Sequence, residues 1–302
     1  MLQIENCPVC KSASIQYDYS APTTRSEIDA RSWTVFRCSD CTHGFMNPQP
    51  SAEELEPYYA SNYEAYNPSH GSVEDDEQTA ESARVTGMFR HLPLPNGKRL
   101  LDVGCGAGFY LRVARKLGAI VEGVEPSVYG TEQTRKSGIK VFNGTLEDYV
   151  AAGNAGQFDV ITANHVIEHV PNPVGTLSIM KSLLAPNGCI WIGVPNANYP
   201  ISRKLHGYWH SADLPYHIMQ FSPESIAKAG QIAGLMVRSQ KTESISAIVA
   251  ASLRLYLRHR WWLPRRLTQH IGLIDRLWAP RYAKRMDNNC SGEAILTEFN
   301  AA

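Results

Sequence analysis

The stretch LDVGCGAG, residues 101–108, is the part of the sequence that decides the fold. The apolar run KRLLDV (98–103) leads into it, and the helical pattern FYLRVARKLG (109–118) follows it. Glycines at such a place let the backbone adopt positive φ and approach a ligand closely. We therefore predict a buried strand, a tight glycine turn and a helix, in that order.

Strand–helix alternation continues downstream of this turn. Repeated units of this length predict an α/β fold, a parallel sheet with helices on both faces. Ligands in such a sheet bind at the carboxyl ends of the strands, where the strand order reverses. The further apolar runs are AIVEGVE (119–125), IKVFNG (139–144), FDVITAN (158–164) and CIWIGVPN (189–196), and the helical patterns are SVYGTEQTRKSG (127–138) and VGTLSIMKSLLAPNG (174–188).

Two more elements close the pattern near the C-terminus. SPESIAKAGQIAGLMVRSQ (222–240) predicts a capped helix and a strand, with Ser222 as the N-cap and Pro223 at the first helical position. The alternating segment EAILTEF (293–299) predicts the closing strand of the sheet.

The chemistry of the glycine turn indicates a cationic nucleoside ligand. Asp102 stands two residues before Gly104, where its charge would repel a pyrophosphate but would suit an ammonium group. The third glycine is Gly108, one residue earlier than the dinucleotide pattern GxGxxG requires. The helix that follows would favour a carboxylate at its N-terminus. The turn thus fits S-adenosylmethionine better than NAD.

Acidic and polar residues follow the next strands. Glu125 ends the second strand, and its carboxylate can accept hydrogen bonds from both ribose hydroxyls. Thr145, Leu146 and Glu147 follow the third strand, where they can flank and hydrogen-bond an adenine. Asn164 ends the fourth strand, opposite the glycine turn.

The seven cysteines include two CxxC pairs near the N-terminus. Cys7 and Cys10 form the first pair, and Cys38 and Cys41 the second. Four thiolates in two knuckles are the ligand set of a structural, tetrahedral zinc ion. In a module this small, metal binding would supply much of the folding free energy. We predict a zinc ribbon at residues 1–50, and the cysteine usage suits a reducing cytoplasm.

Taken together, several ordered motifs resemble the class I S-adenosylmethionine-dependent methyltransferases. The resemblance covers about residues 97–240 and 291–299, and it implies a Rossmann-like, doubly wound, mostly parallel sheet of seven strands. The N-terminal part resembles the zinc-ribbon extension of one subgroup, common among bacterial enzymes that modify sugars, surface polysaccharides and other small metabolites. The motifs are LDVGCGAGFYL, VEGVEPS, FDVITANHVIEHVPNP, LLAPNGCIWIGVPN and HIMQFSPESIAKAGQIAGLMV. The predicted cofactor contacts are Asp102, Gly104, Cys105, Gly106, Glu125, Pro126, Thr145, Leu146, Glu147 and Asn164.

The segment HVIEH, residues 165–169, has two interpretations within this resemblance. It matches the inverted zinc-protease pattern HxxEH, but its place just after the fourth strand argues against a protease. In ubiquinone-pathway O-methyltransferases and small-RNA 2′-O-methyltransferases, an ExxEH segment holds a divalent metal. His165 stands at the first Glu of that pattern, which disfavours a hard cation such as Mg²⁺. We expect a metal-free pocket or a structural role, with a catalytic metal as the alternative.

Histidines and aromatic residues are concentrated after the fifth predicted strand, at residues 197–222. Such side chains suit the wall of a substrate pocket. A hydroxyl acceptor needs its proton removed near neutral pH, and histidine is suited to that task. We predict His169 and His217 as the candidate general bases. Packing or helix-capping roles are the alternative for each.

Two segments of unusual charge complete the domain assignment. Residues 51–95 form an acidic linker with short helices, and residues 96–302 form the methyltransferase domain. A basic helical insertion at about 242–290 holds three of the six tryptophans. We interpret this insertion as a helical lid over the active site. The alternatives are that it contacts an anionic membrane surface, or that it binds a phosphorylated substrate or nucleic acid.

The overall composition of the chain favours some candidate functions over others. Lys and Arg together equal Asp and Glu, at 29 each, which disfavours nucleic acid as a partner. No signal peptide or membrane span is evident, so we expect a cytoplasmic protein, peripheral at most to the inner face of the membrane. The favoured function is methylation of a small molecule, at a hydroxyl of a sugar, nucleotide-sugar or lipid-linked glycan. The alternatives are an RNA methyltransferase and a non-catalytic cofactor-binding protein.

Overall fold

The computed structural model describes residues 1–24, 31–60, 92–93, 95–262, 264–268, 272 and 274–301. These residues contain a seven-stranded sheet and a four-stranded sheet. Much of the predicted acidic linker lies outside the described residues.

The seven-stranded sheet is the α/β framework that the sequence predicts. Its strand order is β10-β11-β8-β7-β4-β5-β6. Strands β4 to β8 are parallel, and β11 and β10 join antiparallel at one edge. The order reverses between β4 and β7, and in open α/β sheets the carboxyl ends of the strands at such a point form the ligand crevice. The strands are β4 (Arg99–Val103), β5 (Ile120–Glu125), β6 (Lys140–Asn143), β7 (Phe158–Asn164), β8 (Leu184–Pro195), β10 (Leu235–Glu243) and β11 (Ala294–Ala301).

Short helices connect these strands. The predicted N-cap is confirmed, because the Ser222 hydroxyl accepts a hydrogen bond from the Ser225 amide. The helix predicted over 174–188 was too long: it ends at Ser182, because Pro186 cannot continue it and β8 begins at Leu184. The helices are α1 (Ala52–Ala60), α2 (Phe109–Lys116), α3 (Val128–Lys136), α4 (Leu146–Ala151), α5 (Pro173–Ser182), α6 (Pro200–Leu205) and α7 (Pro223–Ile232).

The four-stranded sheet joins the N-terminal module to the rest of the chain. Three of its strands are β1 (Ile15–Pro22), β2 (Ser32–Cys38) and β3 (Gly44–Met46). The fourth is β9 (Met219–Gln220), which follows β8 in the chain and pairs antiparallel with β3. The module that begins the sequence therefore shares a sheet with a segment more than 170 residues downstream.

A helical layer follows β10. It consists of α8 (Ser246–Arg260), α9 (Arg265–Thr268), a π-helix (Ile274–Trp278) and α10 (Ala279–Asn288). Val249 and Ala250 of α8 and Ala283 and Met286 of α10 form a buried cluster with Tyr199. Among the described residues, no helix combines the length and the apolar character that crossing a bilayer requires.

Candidate functional site

The glycine turn occupies the crevice at the end of β4. Gly104, Gly106 and Gly108 all have positive φ, as the sequence pattern predicts. A Cβ at Gly104 would lie 2.5 Å from a methyl carbon of Val166, so the turn is in close contact with the HVIEH segment. A Cβ at Gly106 would have no described atom within 4 Å. On its Cβ side, Gly106 therefore faces open space within the described part of the chain.

Asp102 is buried beside this turn. Its Oδ1 accepts a hydrogen bond of 2.7 Å from the Thr162 hydroxyl. Burial raises the pKa of Asp102 to about 7, the negative charge of Glu125 adds to the rise, and the Thr162 hydrogen bond opposes it. A buried carboxyl of this kind is ionised more easily when a cation binds next to it.

Glu125 lies at the end of β5, 3% exposed. One carboxylate oxygen accepts a hydrogen bond from the Gly106 amide, and the other accepts one from the Ser127 amide, both at 2.8 Å. A carboxylate oxygen can accept more than one hydrogen bond. The two amides fix the direction of this carboxylate.

The other predicted cofactor residues have structural contacts of their own. Thr145 caps α4, and the hydroxyl of Thr176 donates to Glu147. Leu146 is buried in the core, whereas Pro126 is exposed. Burial raises the pKa of the Cys105 thiol, so this side chain is neutral at physiological pH. Asn164 ends β7 opposite Gly193. Contact between these residues and a cofactor stays a prediction.

His169 and His217 lie together at the end of β7. Their rings pack edge to face with centroids 4.7 Å apart. His169 Nδ1 lies 2.9 Å from the Tyr216 carbonyl oxygen, and His217 Nδ1 lies 2.8 Å from that of Ser211. A carbonyl can only accept a hydrogen bond, so both Nδ1 atoms carry the proton and both Nε2 atoms carry the lone pair.

The carboxylate of Glu168 lies close to His165 and His217. Its Oε1 lies 3.0 Å from His165 Nδ1 and 3.9 Å from His217 Nε2. Burial opposes ionisation of Glu168, but the hydrogen bond and charge of His165 outweigh it and lower the pKa of Glu168 to about 2. Burial lowers the pKa of His169 to about 4, and His217 adds to that shift. At neutral pH the cluster therefore contains an ionised Glu168 and a neutral His169.

Several residues of this site are not among those that the sequence predicts. The hydroxyl of Tyr59, at the end of α1, lies 3.2 Å from His169 Nδ1. The Tyr216 ring packs edge to face on the Tyr59 ring, with centroids 5.3 Å apart. The hydroxyl of Ser211 donates to buried Glu293, which precedes β11. No local pattern marks these residues, because their partners are distant in the chain.

The four N-terminal cysteines converge as predicted. The sulfur atoms of Cys7 and Cys41 are 3.6 Å apart, and those of Cys10 and Cys38 are 3.5 Å apart. All four lie within 4.8 Å of one another. Zinc–sulfur bonds of about 2.3 Å in a tetrahedron would place the sulfurs about 3.8 Å apart. The cluster fits a tetrahedral zinc ion.

The cysteine module is tied to the segment that carries His217. The hydroxyls of Thr42 and Ser222 are 2.5 Å apart, and His43 Nε2 lies 3.4 Å from the sulfur of Met219. The side-chain amide of Gln220 donates to the Tyr19 hydroxyl at 2.7 Å. The module is therefore packed against the segment that directly follows His217.

Comparison with known proteins identifies the family. A family model described as a methyltransferase domain matches residues 76–240, more than half of the chain. The chain belongs to the class I S-adenosylmethionine-dependent methyltransferases. The predicted family and the predicted fold are thus both confirmed.

Curated relatives of this methyltransferase include two named ubiquinone biosynthesis O-methyltransferase. The protein from Actinobacillus pleuropneumoniae serotype 7 is 37% identical over 134 residues, which cover 41% of this chain and 52% of the relative. That from Vibrio campbellii is 36% identical over 108 residues, covering 34% of this chain and 46% of the relative. The chain thus spans about half the length of the curated relatives that it matches.

Solved structures of similar fold include two other methyltransferases. A SAM-dependent methyltransferase from Archaeoglobus fulgidus has a TM-score of 0.50 and 17% identity, covering 80% of this chain and 98% of that one. Coclaurine N-methyltransferase, bound to N-methylheliamine and SAH, has a TM-score of 0.50 and 16% identity, covering 82% and 81%. At such low identity the likeness concerns the fold alone.

Proposed function

We propose that this methyltransferase transfers the methyl group of S-adenosylmethionine to a hydroxyl oxygen of a small molecule. The observation that carries the proposal is the contact between the glycine turn and the HVIEH segment, at Gly104 and Val166. This contact supports a cofactor position next to the segment that carries His169, whose ring packs against that of His217. A methyl donor and a proton acceptor on adjacent segments are what methylation of a hydroxyl requires.

On this proposal the cofactor lies against Gly104, Cys105 and Gly106. Glu125 accepts hydrogen bonds from the ribose hydroxyls, and Asp102 faces the cationic methionine part. Pro126, Thr145, Leu146 and Glu147 flank the adenine, and Asn164 lies on the opposite side of the crevice. The open space at Gly106 and the raised pKa of Asp102 support this placement, because a bound cation would stabilise the ionised carboxylate.

Proton removal from the acceptor is assigned to His169 or His217. Their Nδ1 protons are donated to backbone carbonyls, so in this tautomer the basic ring nitrogen of each histidine is Nε2. The neutral state of His169 near pH 7 supports this role. Methyl transfer itself is a displacement at carbon, so the protein contributes mainly by aligning the two reactants and excluding water.

The acceptor class is proposed from two observations. The relatives named O-methyltransferase support oxygen as the methylated atom. The histidine cluster and buried Glu168 and Glu293 line this end of the sheet with polar groups, which supports an acceptor rich in hydroxyls. We propose a sugar, nucleotide-sugar or lipid-linked glycan as substrate.

Two further proposals concern the outer parts of the chain. We propose that the four-cysteine cluster holds a structural Zn²⁺ that stabilises the N-terminal module. We also propose that the helical layer after β10 contacts an anionic membrane surface. Trp261 and Trp262 are 67% and 88% exposed, and exposed Arg260 is adjacent to them. Aromatic rings beside cationic side chains suit the headgroup region of such a membrane.

The function is tested by methyl transfer from S-adenosylmethionine labelled in the methyl group. The purified full-length protein is incubated with the labelled donor and a panel of nucleotide-sugars, lipid-linked glycans and phenols. Incorporation into a hydroxylated acceptor, reduced in Gly106→Ala at subsaturating donor, would support the proposal. Incorporation into RNA alone, or cofactor binding with no transfer to any acceptor, would contradict it.

A further inference from the structure

Glu293 occupies a buried position between the seven-stranded sheet and the helical layer. Its backbone carbonyl accepts a hydrogen bond of 2.8 Å from the amide of Asn196, the residue directly after β8. Its amide donates at 3.2 Å to the hydroxyl of Ser244, which lies between β10 and α8. The backbone of Glu293 is therefore held at the carboxyl end of β8, where the helical layer begins.

Only one oxygen of the Glu293 carboxylate has a hydrogen-bond partner among the described residues. Oε1 accepts a hydrogen bond of 2.5 Å from the Ser211 hydroxyl, whereas Oε2 is buried without a partner. The residue is 1% exposed, and burial raises the pKa of Glu293 while the Ser211 hydrogen bond opposes that shift. A buried carboxylate oxygen without a donor is rare, because desolvation is costly when no partner replaces water. Oε2 therefore needs a donor that the described residues do not supply.

The indole nitrogen of Trp209 is a second buried atom of this kind. Trp209 is 2% exposed, and its Nε1 has no hydrogen-bond acceptor among the described residues. An indole N–H can only donate. Trp209 directly precedes the 3-10 helix His210–Ala212, which carries the Ser211 hydroxyl that donates to Glu293. The segment that binds one carboxylate oxygen of Glu293 therefore also carries a donor that lacks an acceptor.

Tyr199 lies close to both residues. Its ring centroid is 6.5 Å from that of Trp209. Burial makes the largest contribution to a raised pKa of the Tyr199 hydroxyl, and Tyr282 and Glu293 add to the rise. The hydroxyl thus stays protonated and is near enough to Glu293 to be influenced by its charge. Residues from before and after the helical layer therefore bring polar groups into one buried region.

This region lies beside the HVIEH segment at the end of the sheet. In the sheet order β8 lies between β7 and β11. The His165 amide donates to the Gly193 carbonyl near the end of β8, and Glu293 is held at the same end on the β11 side. Besides burial and hydrogen bonding, the charge of His165 lowers the pKa of Glu293 and that of Asp287, on α10, raises it. Glu293 therefore lies between the segment that contacts the glycine turn and the helical layer.

We propose that Glu293 and Trp209 bind an uncharged, hydroxyl-rich part of the methyl acceptor, such as a sugar ring. Hydroxyls both donate and accept, so neighbouring hydroxyls can satisfy the carboxylate oxygen and the indole N–H. An ammonium group offers no acceptor to the indole, and a phosphate would be repelled by Glu293 and Asp287. The role in methylation rests on the proposed function, whereas binding of a sugar can be measured without it.

Nuclear magnetic resonance of the tryptophan indoles tests the site without measuring activity. Full-length protein labelled with ¹⁵N in its six tryptophans is saturated with S-adenosylhomocysteine. It is then titrated with the methyl α-pyranosides of glucose, mannose and galactose. The indole signal of Trp209, assigned by its absence from Trp209→Phe, should shift with at least one glycoside, whereas that of Trp262 should not. No shift of the Trp209 signal with any of the three would overturn the proposal.

Glu293→Gln tests the carboxylate. The amide keeps an acceptor for the Ser211 hydroxyl but replaces the charged acceptor at Oε2 with a neutral group. Hydrogen bonds to charged acceptors are the stronger ones, so the affinity for the glycoside should fall about tenfold. Glu298→Gln is the matched control, because Glu298 lies on β11 and pairs with Arg238. Equal affinity in Glu293→Gln and Glu298→Gln would contradict the role of Glu293.

Trp209→Phe tests the indole donor independently. It removes the N–H and keeps an aromatic ring beside Tyr199. Glycoside binding, measured by saturation transfer to the glycoside protons, should weaken about fivefold through the loss of one hydrogen bond. Unchanged binding would remove Trp209 from the site. The indole signals of the other tryptophans report whether each variant is folded.

The methyl-transfer assay separates this inference from the proposed function. Transfer to a hydroxylated acceptor with the same KM for that acceptor in Glu293→Gln and wild type contradicts the inference and leaves the proposed function standing. Glycoside binding that depends on Glu293, without transfer to any acceptor, supports the binding site and contradicts the proposed function.

Discussion

A Cβ placed on Gly104 would lie 2.5 Å from a methyl carbon of Val166, so the glycine turn and the HVIEH segment are packed without room between them. The turn follows β4 and the segment follows β7, and these strands are neighbours at the point where the sheet order reverses. This contact holds the glycine turn against the segment that carries His169. Substitutions on either side should therefore affect binding and turnover in distinguishable ways.

Gly106→Ala should weaken S-adenosylmethionine binding at least about tenfold without a large effect on folding. The new methyl would meet no described protein atom but would occupy the space proposed for the cofactor. Its left-handed backbone, with φ of 53°, should cost about 1 kcal/mol of folding stability. Calorimetric titration and chemical unfolding measure the two effects.

Gly97→Ala is the matched control, because Gly97 has φ of 70° and likewise no described atom within 4 Å of the added Cβ. It lies before β4, away from the crevice, so it should lose similar stability and keep full cofactor affinity. Equal cofactor affinity in the two variants would remove the turn from the binding site.

Cofactor affinity should fall as the pH drops below about 7. The pKa of Asp102 in the free protein is about 7, raised above the usual value for aspartate by burial. A cationic ligand binds better to the ionised form, so protonation of Asp102 should weaken binding about tenfold for each pH unit below its pKa. Titration calorimetry between pH 5.5 and 8 would detect this slope.

Asp102→Asn provides the control for this pH dependence. The amide does not titrate, so the variant should bind weakly with an affinity that is nearly constant between pH 5.5 and 7. An unchanged slope in the variant would assign the pH dependence to another group.

Loss of the predicted zinc should impair the active site as well as the N-terminal module. Cys38→Ser should lose about one zinc ion per chain and lower turnover, because β9 pairs with β3 next to His217. Cys290→Ser, at an exposed cysteine outside the cluster, should leave zinc content and turnover unchanged. Full zinc content in Cys38→Ser, by elemental analysis, would refute the ribbon.

His169→Ala and His217→Ala should lower turnover by about a hundredfold or more while changing cofactor affinity by less than about threefold. The pKa of His169 is about 4, so turnover should show no loss attributable to this group between pH 5.5 and 8. His259→Ala serves as a histidine control outside the cluster. Full activity in both variants would exclude His169 and His217 as bases.

Binding to anionic vesicles should depend on the exposed tryptophans. Wild-type protein should sediment with phosphatidylglycerol vesicles more than with phosphatidylcholine vesicles, and less so at high salt. The double change of Trp261→Ser and Trp262→Ser should reduce this binding, whereas Tyr17→Ser, at another exposed aromatic residue, should not. Equal sedimentation of all three proteins would argue against membrane contact.

Local patterns were sufficient to predict the framework of the sheet. The glycine turn, the strands around it and the cap at Ser222 depend on residues adjacent in sequence, so periodicity and turn chemistry reveal them. The four-cysteine site can likewise be predicted from the sequence, because CxxC spacing is typical of metal-binding knuckles. The C-terminal end of the helix predicted over 174–188 is wrong, because apolar residues without a clear period continue from the helix into the following strand.

The missing parts of the site depend on contacts between distant segments. Pairing of β3 with β9, the approach of Tyr59 to His169 and the hydrogen bond from Ser211 to Glu293 join residues that are 82 to 176 positions apart in the chain. Such contacts are set by tertiary packing and leave no periodic signal in the chain. The sequence predicts His217 as a histidine near the crevice. Its position beside Glu168 is visible only in the three-dimensional structure.

The most direct measurement is a crystal structure of the protein grown with S-adenosylhomocysteine. The account predicts that this ligand lies against Gly104 and Gly106, with both ribose hydroxyls donating to the Glu125 carboxylate and the sulfur directed toward the side of His169 and His217. A crevice that stays empty at saturating ligand, or a ligand whose ribose lies away from Glu125, would contradict the central claim.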